Sequence, residues 1–254
     1  MKILFVGDIV SRPGRKVLND HLKTIQNDHN IDFTIVNAEN AAHGKGLTPK
    51  IFNQIIGYGV DAITLGNHAY AKEEIFEIIN DERLVRPINL TTSKMGKGFR
   101  TFKVLNKTIL VGNVCGETFM HNVDPDPFVA SNEFLEADAD IKIIDLHGEA
   151  TAEKIAYMHY FKNEFTAILG THTHVQTADE DVFDGCAYIS DVGMTGPYES
   201  VIGRDIDEVV SRFVDNEQTY YTVSKNEAVL CAVVIDIDDK TNRAVKIQRI
   251  QIRP

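Results

Sequence analysis

The sequence predicts an α/β protein built on a parallel sheet, because strands and helices alternate from its beginning. Three apolar stretches are typical of buried strands, at residues 2–7, 31–36 and 62–65. An amphipathic helix follows the first strand, where Ser11 is a plausible N-terminal cap and Pro13 lies near the first turn. A second helix begins at Thr48-Pro49. This alternation is the pattern of a parallel α/β sheet.

The rest of the chain is less regular but keeps the same character. Further helices are expected over residues 73–80, 128–138, 149–161 and 205–213. Further strands are expected over residues 85–90, 99–104, 108–114, 141–146, 165–169, 186–191, 220–223, 228–236 and 244–252. The glycine-rich residues 192–203 are expected to form a loop, in which residues 194–198 could wall the pocket or could simply be a turn. The C-terminal strands are expected to build a second sheet, and their exposed edge could serve a homo-oligomer.

Composition narrows the class of protein. The 254 residues are 43% hydrophobic and 25% charged, as in ordinary globular proteins, and we find no repeat or linker, so a single domain over residues 1–254 is expected. No apolar run approaches the roughly 18 residues of a membrane helix. The acidic Asp8 interrupts the first apolar stretch, which argues against a signal peptide and for a cytoplasmic protein. Three widely spaced cysteines are expected to be buried and reduced.

The net charge of −11 argues against long nucleic acid as a partner, because that binding depends on Lys and Arg neutralising phosphates. It does not argue against a small phosphorylated ligand that meets a locally positive site. A bound metal would provide such a site.

Polar side chains follow five strands at the carboxyl end, where open α/β sheets bind ligands. His172 and His174 are two residues apart, so in an extended segment both imidazoles would face one side. Oxygen and imidazole donors without thiolates suit Mn, Fe or Zn. Seven donors are too many for one tetrahedral ion but suffice for two ions that share a carboxylate and clamp a phosphoryl group. The candidate donors are Asp8, Glu39, Asn40, Asn67, His147, His172 and His174.

Each motif alone has an ordinary structural explanation. Asp8 could cap a helix, Asn67 could occupy a turn and His147 could be a hydrogen-bonded core histidine. Their combined occurrence at strand ends favours the metal site. Two residues of the glycine-containing loop, His43 and Lys45, could contact substrate or a partner subunit, or could simply be solvated, so they are left outside the catalytic set.

The motifs resemble those of the calcineurin-like metallophosphoesterase superfamily, and most closely its YmdB-type branch. The resemblance covers essentially the whole chain. The segments that carry it are Gly7-Asp8-Ile9-Val10, residues 37–46, Gly66-Asn67-His68, residues 147–151, residues 170–178 and residues 191–197. The sequence departs from the wider superfamily at Val10, where a histidine is usual, and at Glu39, where an aspartate is usual; in the YmdB-type branch both changes are normal.

The resemblance implies a four-layer αββα sandwich, in which two mixed sheets are flanked by helices. It implies one metal ion held by Asp8, Glu39, Asn40 and His174. It implies a second ion held by Glu39, Asn67, His147 and His172, with Glu39 bridging. It also implies that His68 is a general acid, while a metal-bound hydroxide attacks phosphorus in line.

The implied reaction is hydrolysis of cyclic nucleotides, of the 2′,3′-cyclic AMP type, to nucleoside monophosphates. The ends of RNA chains are a further candidate substrate, and iron or manganese are the expected metals, with zinc as an alternative. One rival is a phosphomonoesterase or nucleotidase that uses the same metals. The other is a regulatory scaffold in which the metals are only structural.

Overall fold

The computed structural model describes residues 1–254 and contains two mixed β-sheets packed against each other, with helices on both outer faces. The strands are β1 (Lys2–Val6), β2 (Asp8–Ile9), β3 (Phe33–Asn37), β4 (Ala62–Thr64), β5 (Leu84–Val85), β6 (Phe99–Val104), β7 (Lys107–Cys115), β8 (Ile141–His147), β9 (Ala167–Thr171), β10 (Asp181–Phe183), β11 (Cys186–Ile189), β12 (Met194–Pro197), β13 (Ala228–Ile237) and β14 (Ala244–Ile252). The helices are α1 (Ser11–His29), α2 (Pro49–Gly57), α3 (Pro127–Ala130), α4 (Asn132–Glu136), α5 (Thr151–Phe161) and α6 (Ile206–Val214), with a 3-10 helix over Glu73–Glu77.

The first sheet has the strand order β2-β12-β13-β1-β3-β4-β5. Strand β14 pairs with β13 along the edge opposite to β1. Strands β1, β3, β4 and β5 are parallel, whereas β13 runs antiparallel to β1. The second sheet has the order β10-β11-β9-β8-β7-β6 and a parallel centre. The carboxyl ends of β1, β3, β4, β8 and β9 therefore carry the predicted site residues, as the switch-point rule for α/β sheets requires.

Three apolar clusters separate the four layers. The cluster between the sheets contains side chains from both, such as Phe5 and Ile35 from the first and Val111 and Ile143 from the second. The second cluster lies between the first sheet and helices α1 and α2. The third lies between the second sheet and α5, around Tyr157. The predicted αββα arrangement is confirmed, since each sheet buries one face on the other sheet and one face under helices.

The expected second sheet of C-terminal strands is wrong. Strands β13 and β14 belong to the first sheet, and the second sheet comes from residues 99–189. The reason is visible in β13, whose apolar residues are buried on both faces, so it occupies an interior position beside β1.

Several local expectations also need correction. Residues 192–203 contain strand β12, and residues 220–223 form no strand but only a single bridge between Arg204 and Val223. The helix expected over 128–138 is divided at Ser131 into α3 and α4. The N-cap of α1 is Val10 rather than Ser11, so no side chain accepts a hydrogen bond at the start of this helix. Strand β10 was not anticipated. No helix has both the length and the hydrophobicity that crossing a bilayer requires.

Strand β9 and the end of its neighbour β11 in the second sheet approach closely at Gly170, and this predicts a large effect of a single methyl group. A Cβ at Gly170 would overlap the Ser190 carbonyl oxygen, a backbone atom that cannot rotate away. We expect Gly170→Ala to lower the free energy of unfolding by about 1–3 kcal/mol or more, measured by urea denaturation. Gly57→Ala is the matched control, because nothing lies within 4 Å of its Cβ position. A Gly170→Ala variant as stable as Gly57→Ala would contradict the close approach.

Candidate metal centre and active site

The structure brings all eight predicted site residues into one connected cluster. At its centre, Glu39 Oε2 lies 3.3 Å from His147 Nε2 and accepts a 2.9 Å hydrogen bond from the backbone N–H of His68. Asn67 Oδ1 lies 2.9 Å from the same His147 nitrogen. The cluster continues through His172, whose Nδ1 is 3.1 Å from His147 Nε2, and it is completed by Asn40, His174 and Asp8.

The other side of the cluster is built around Asn40. Its Nδ2 donates to Glu39 Oε1 at 2.8 Å and lies 3.1 Å from His174 Nε2. His174 Nε2 lies 4.0 Å from Asp8 Oδ1. The two oxygens of Glu39 thus face different neighbours, with Oε1 toward Asn40 and Oε2 toward His147.

Asp8 is fixed by the fold rather than by a flexible loop. It begins β2, pairs in register with Met194 of β12, and is fully buried. Its Oδ2 accepts a 3.2 Å hydrogen bond from the backbone N–H of His172, whereas its Oδ1 has no hydrogen-bond partner. Burial raises the pKa of Asp8 to about 6, against the opposing charges of His174 and His147.

The segment with the two histidines is bent, not extended. Strand β9 ends at Thr171, and both His172 (φ 102°) and His174 (φ 67°) have the left-handed backbone that non-glycine residues rarely adopt. The expectation of two imidazoles projecting from one face of an extended segment is therefore wrong. The turn instead directs His172 toward His147 and His174 toward Asn40. Such backbone strain costs about 1–3 kcal/mol per residue and persists where surrounding contacts enforce it.

Hydrogen bonds orient the imidazoles of this segment. His174 Nδ1 donates to the carbonyl oxygen of Ile202 at 3.0 Å, which leaves Nε2 free to face Asn40 and Asp8. His172 Nε2 lies 3.1 Å from Glu149 Oε2, so its Nδ1 faces His147. A carboxylate or carbonyl behind the ring is the usual way in which proteins orient histidine ligands.

Sequence reasoning missed the residues that hold His147. The Thr171 hydroxyl donates to Asp145 Oδ1 at 2.7 Å, and it accepts from His147 Nδ1 at 2.9 Å. Asp145 is fully buried and also accepts hydrogen bonds from Asn37 Nδ2 and Thr64 Oγ1. A signal was present in the sequence, because Asp145 precedes His147 by two residues on one strand and therefore shares its face.

A buried ion pair that the sequence reading also missed holds the histidine turn. Lys154 Nζ lies 3.1 Å from Asp191 Oδ2, and each side chain is at most 2% exposed. Lys154 also donates to the Thr171 carbonyl oxygen at 2.8 Å, while Asp191 accepts from the backbone N–H and hydroxyl of Thr173. The sequence could have indicated this pair, because Lys154 lies three residues before Tyr157 and so shares the buried face of α5.

The cluster carries a balanced internal charge. Burial would raise the pKa of Glu39, but the adjacent His147 charge and hydrogen bond hold that pKa well below its usual range. Burial likewise would lower the pKa of His147, but Glu39 raises it to about 9. Burial and the His147 charge lower the pKa of His172 to about 3, so His172 is neutral at physiological pH.

The residues present fit a metal centre on three observations of the structure. The donor atoms of Glu39, His147 and His172 all lie within 4.8 Å of one another. Asp8 Oδ1 is a buried acceptor without a donor. A Cβ at Gly66 would overlap the Glu39 carboxylate and the His147 ring, so the glycine keeps the space at the cluster open. Carboxylate, amide and imidazole donors are those that divalent transition metals take.

A cavity of about 300 Å³ opens beside the cluster. It is lined by His68, Glu39, Asn40, His172 and His174 from the cluster, and by residues of the surrounding loops. His68 is half-buried there, and burial lowers its pKa. A ligand in this cavity would touch both the histidine cluster and the His68 imidazole.

Comparison with known proteins finds relatives that match nearly the whole chain. The family model described as "YmdB-like protein" matches residues 4–250. A 2′,3′-cyclic-nucleotide 2′-phosphodiesterase of Bacillus subtilis is 46% identical over 99% of this chain and 97% of its own. The crystal structure of a phosphatase from Mycoplasma pneumoniae, 36% identical, superposes with a TM-score of 0.95 over 99% of this chain and 93% of that one. A putative 5′-nucleotidase from Staphylococcus aureus shares the fold alone, at 15% identity and a TM-score of 0.59, over 98% of this chain and 54% of that chain.

The chain has the two packed mixed sheets of the fold that it shares with the 5′-nucleotidase, and a His/Glu cluster lies at their carboxyl edge. The family model and the Bacillus subtilis relative show more than a common fold: the chain belongs to the YmdB-like family. It is therefore an enzyme, a hydrolase of phosphoric esters.

The His147–Glu39 pair predicts a pH-dependent stability of the metal-free protein. The folded-state pKa of His147, about 9, exceeds the unfolded value of 6.5. Its contribution is therefore complete below pH 6.5 and lost as pH rises through 9, whereas the altered pKa values of Asp8 and Glu39 act below this window. We expect the free energy of unfolding of the chelator-treated protein to fall by about 3 kcal/mol between pH 6.5 and 9.5, measured by urea denaturation. The same fall in His147→Asn would contradict the assignment.

The Lys154–Asp191 pair predicts a second stability effect. Lys154→Met keeps the length of the side chain but leaves Asp191 buried and uncompensated. We expect a loss of about 3–5 kcal/mol in the free energy of unfolding. Lys162→Met is the control at the end of the same helix, because its ion pair with Asp184 is at the surface and contributes less than about 1 kcal/mol. Equal losses in the two variants would show that the buried pair has no special role.

Proposed function

We propose that the protein is a two-metal phosphodiesterase that hydrolyses 2′,3′-cyclic nucleotides to nucleoside monophosphates. The observation that carries the proposal is the buried cluster in which donor atoms of Glu39, His147 and His172 lie within 4.8 Å of one another. The name of the Bacillus subtilis relative, a 2′,3′-cyclic-nucleotide 2′-phosphodiesterase with 46% identity over nearly the whole chain, supports the choice of substrate.

The two halves of the cluster suggest two ion sites. The first would use Asp8, Glu39, Asn40 and His174, and the second would use Glu39, Asn67, His147 and His172. The orientation of Glu39 supports a bridging role, because its two oxygens face the two halves separately. Two divalent ions, when bound, supply positive charge for the phosphate and lower the pKa of water. Iron or manganese are the metals that we propose, and zinc is the alternative.

His68 is proposed to protonate the leaving oxygen. Its backbone N–H donates to Glu39 Oε2 at 2.9 Å, which ties the residue to the cluster, while its side chain lines the cavity. Burial lowers the pKa of the imidazole, which makes its protonated form a stronger acid. General-acid catalysis of this kind is worth roughly 10²–10⁴ in rate.

The cavity and the charge favour a small substrate. A volume of about 300 Å³ lies at the lower end of small-ligand pockets and suits one nucleotide or the end of a short RNA chain. The net charge of −11 disfavours long nucleic acid. We further propose that the chain acts as one domain in the cytoplasm, since its cysteines Cys115, Cys186 and Cys231 are buried and unpaired. A homo-oligomer stays a prediction.

A phosphomonoesterase is the second candidate, favoured by the 36% identical Mycoplasma pneumoniae structure that is described as a phosphatase. The deciding experiment compares hydrolysis of bis(p-nitrophenyl) phosphate and p-nitrophenyl phosphate by manganese-loaded protein, with elemental analysis of the same sample. We expect two metal equivalents per chain and a preference for the diester. Preference for the monoester would favour the rival. Two full equivalents with no hydrolysis of either ester would favour a regulatory scaffold with structural metals.

The role of His68 gives a sharper prediction. His68→Ala should retain metal content and the unfolding midpoint, since the hydrogen bond from His68 to Glu39 comes from its backbone, but lose roughly 10²–10⁴ in kcat for 2′,3′-cyclic AMP. Steady-state kinetics and elemental analysis check both parts. The exposed His121→Asn serves as the control and should behave like wild type. Wild-type turnover by His68→Ala would remove the residue from the mechanism.

A further inference from the structure

The outer wall of the active-site cavity carries positive charge that the proposed chemistry does not use. Lys45, Arg204 and Tyr221 line the same cavity as the histidine cluster. The Arg204 guanidinium carbon lies 4.9 Å from the centroid of the Tyr221 ring, and Lys45 Nζ lies 5.8 Å from the same centroid. Both distances are those of cation–π contacts, so one tyrosine holds the two cations together.

This wall is positioned by contacts on both sides. Gly44 has a φ of +83° and lies so close to the tyrosine that a Cβ there would meet the Tyr221 ring and hydroxyl. On the other side, Glu208 pairs with Arg204 and accepts a 2.6 Å hydrogen bond from the backbone N–H of Thr222. The loop after Glu39 and the segment after α6 therefore meet at Tyr221.

The two cations have donors to spare. Lys45 forms no ion pair in the structure, and its side chain is exposed at the cavity. Arg204 pairs through Nη2 with Glu208, whereas its Nη1 makes no hydrogen bond within the protein. Donor-only groups that face a cavity favour an anionic ligand, and a phosphoryl group offers several acceptor oxygens. The concentration of cations here does not reflect general basicity, because the chain has a net charge of −11.

We propose that Lys45 and Arg204 form a subsite for a second phosphoryl group of the substrate. The preferred substrate would then be a nucleoside 2′,3′-cyclic phosphate that also carries a 5′-phosphoryl group, either as a terminal phosphate or as the next link of a short oligoribonucleotide. This inference rests on the proposed function, since it requires that the cyclic phosphate is bound at the histidine cluster.

The test compares kcat/KM of manganese-loaded protein for adenosine 2′,3′-cyclic phosphate, for its 5′-phosphorylated form and for a dinucleotide that ends in a 2′,3′-cyclic phosphate. We expect the added phosphoryl group to raise kcat/KM about tenfold in at least one of the two larger substrates. The gain should appear in KM rather than in kcat, because the group is remote from the reacting bond. It should shrink as salt rises, as expected for an exposed charge pair.

Variants of Lys45 isolate the subsite. The measured ratio is kcat/KM for a larger substrate divided by kcat/KM for adenosine 2′,3′-cyclic phosphate. Lys45→Met should reduce this ratio to about one, and Lys45→Arg should retain it. Lys50→Met is the matched control, because Lys50 is an exposed lysine outside the cavity. This variant should change neither the ratio nor the activity on adenosine 2′,3′-cyclic phosphate. A wild-type ratio of one for both larger substrates, or an unchanged ratio in Lys45→Met, would overturn the subsite while leaving the phosphodiesterase intact. Hydrolysis of none of the three substrates would overturn the proposed function and the subsite together.

Discussion

The geometry of the candidate site depends on the buried ion pair between Lys154 and Asp191. Both partners hold the turn after β9 by hydrogen bonds: Lys154 donates to the Thr171 carbonyl oxygen, and Asp191 accepts from the backbone N–H and the hydroxyl of Thr173. Within that turn, His172 and His174 have left-handed backbones that would relax if the segment were free. A buried charge pair is a costly way to gain stability, but it is a specific way to hold a strained turn. The fold thus uses one helix and one strand end to direct two imidazoles into different halves of the cluster.

Charge balance explains how so many polar side chains coexist in the interior. Glu39 and Asp8 are almost completely buried, and neither has a basic side chain of Lys or Arg as a partner. In the metal-free protein, the proton on His147 compensates Glu39, and the neutral His172 avoids a second positive charge beside it. The proton therefore does part of what a metal cation does for such a donor set. A metal ion that used the lone pair of His147 Nε2 would have to displace this proton, because a histidine ligand must be neutral.

Local periodicity predicted the parallel α/β core and the candidate donors at its strand ends, whereas the four-layer αββα arrangement and the proposed role of His68 came from the family resemblance. Each strand that ends in a ligand-type residue can be recognised from its own local sequence, and parallel pairing then brings those ends together. What could not be predicted depends on contacts between distant elements. Asp145 and Asp191 looked like ordinary polar residues, since their partners come from other strands and from α5. Strand β12 lies in a glycine-rich segment and was not predicted, because it is defined by its long-range pairing with β2. The bend at His172 likewise follows from tertiary contacts rather than from the sequence around it.

Three glycines that lie one or two residues before a site residue link the chemistry of this site to its packing. Gly7 and Gly170 are required because a Cβ at either would overlap a backbone carbonyl, of Gly193 and Ser190 respectively. Gly66 is required for another reason, since a Cβ there would occupy the space between Glu39 and His147. Two glycines thus let strand ends approach closely enough to place the donors, and the third keeps open the volume that those donors surround. Close approach of two backbones and an open space between donor side chains both require a residue without a Cβ, and only glycine meets that requirement.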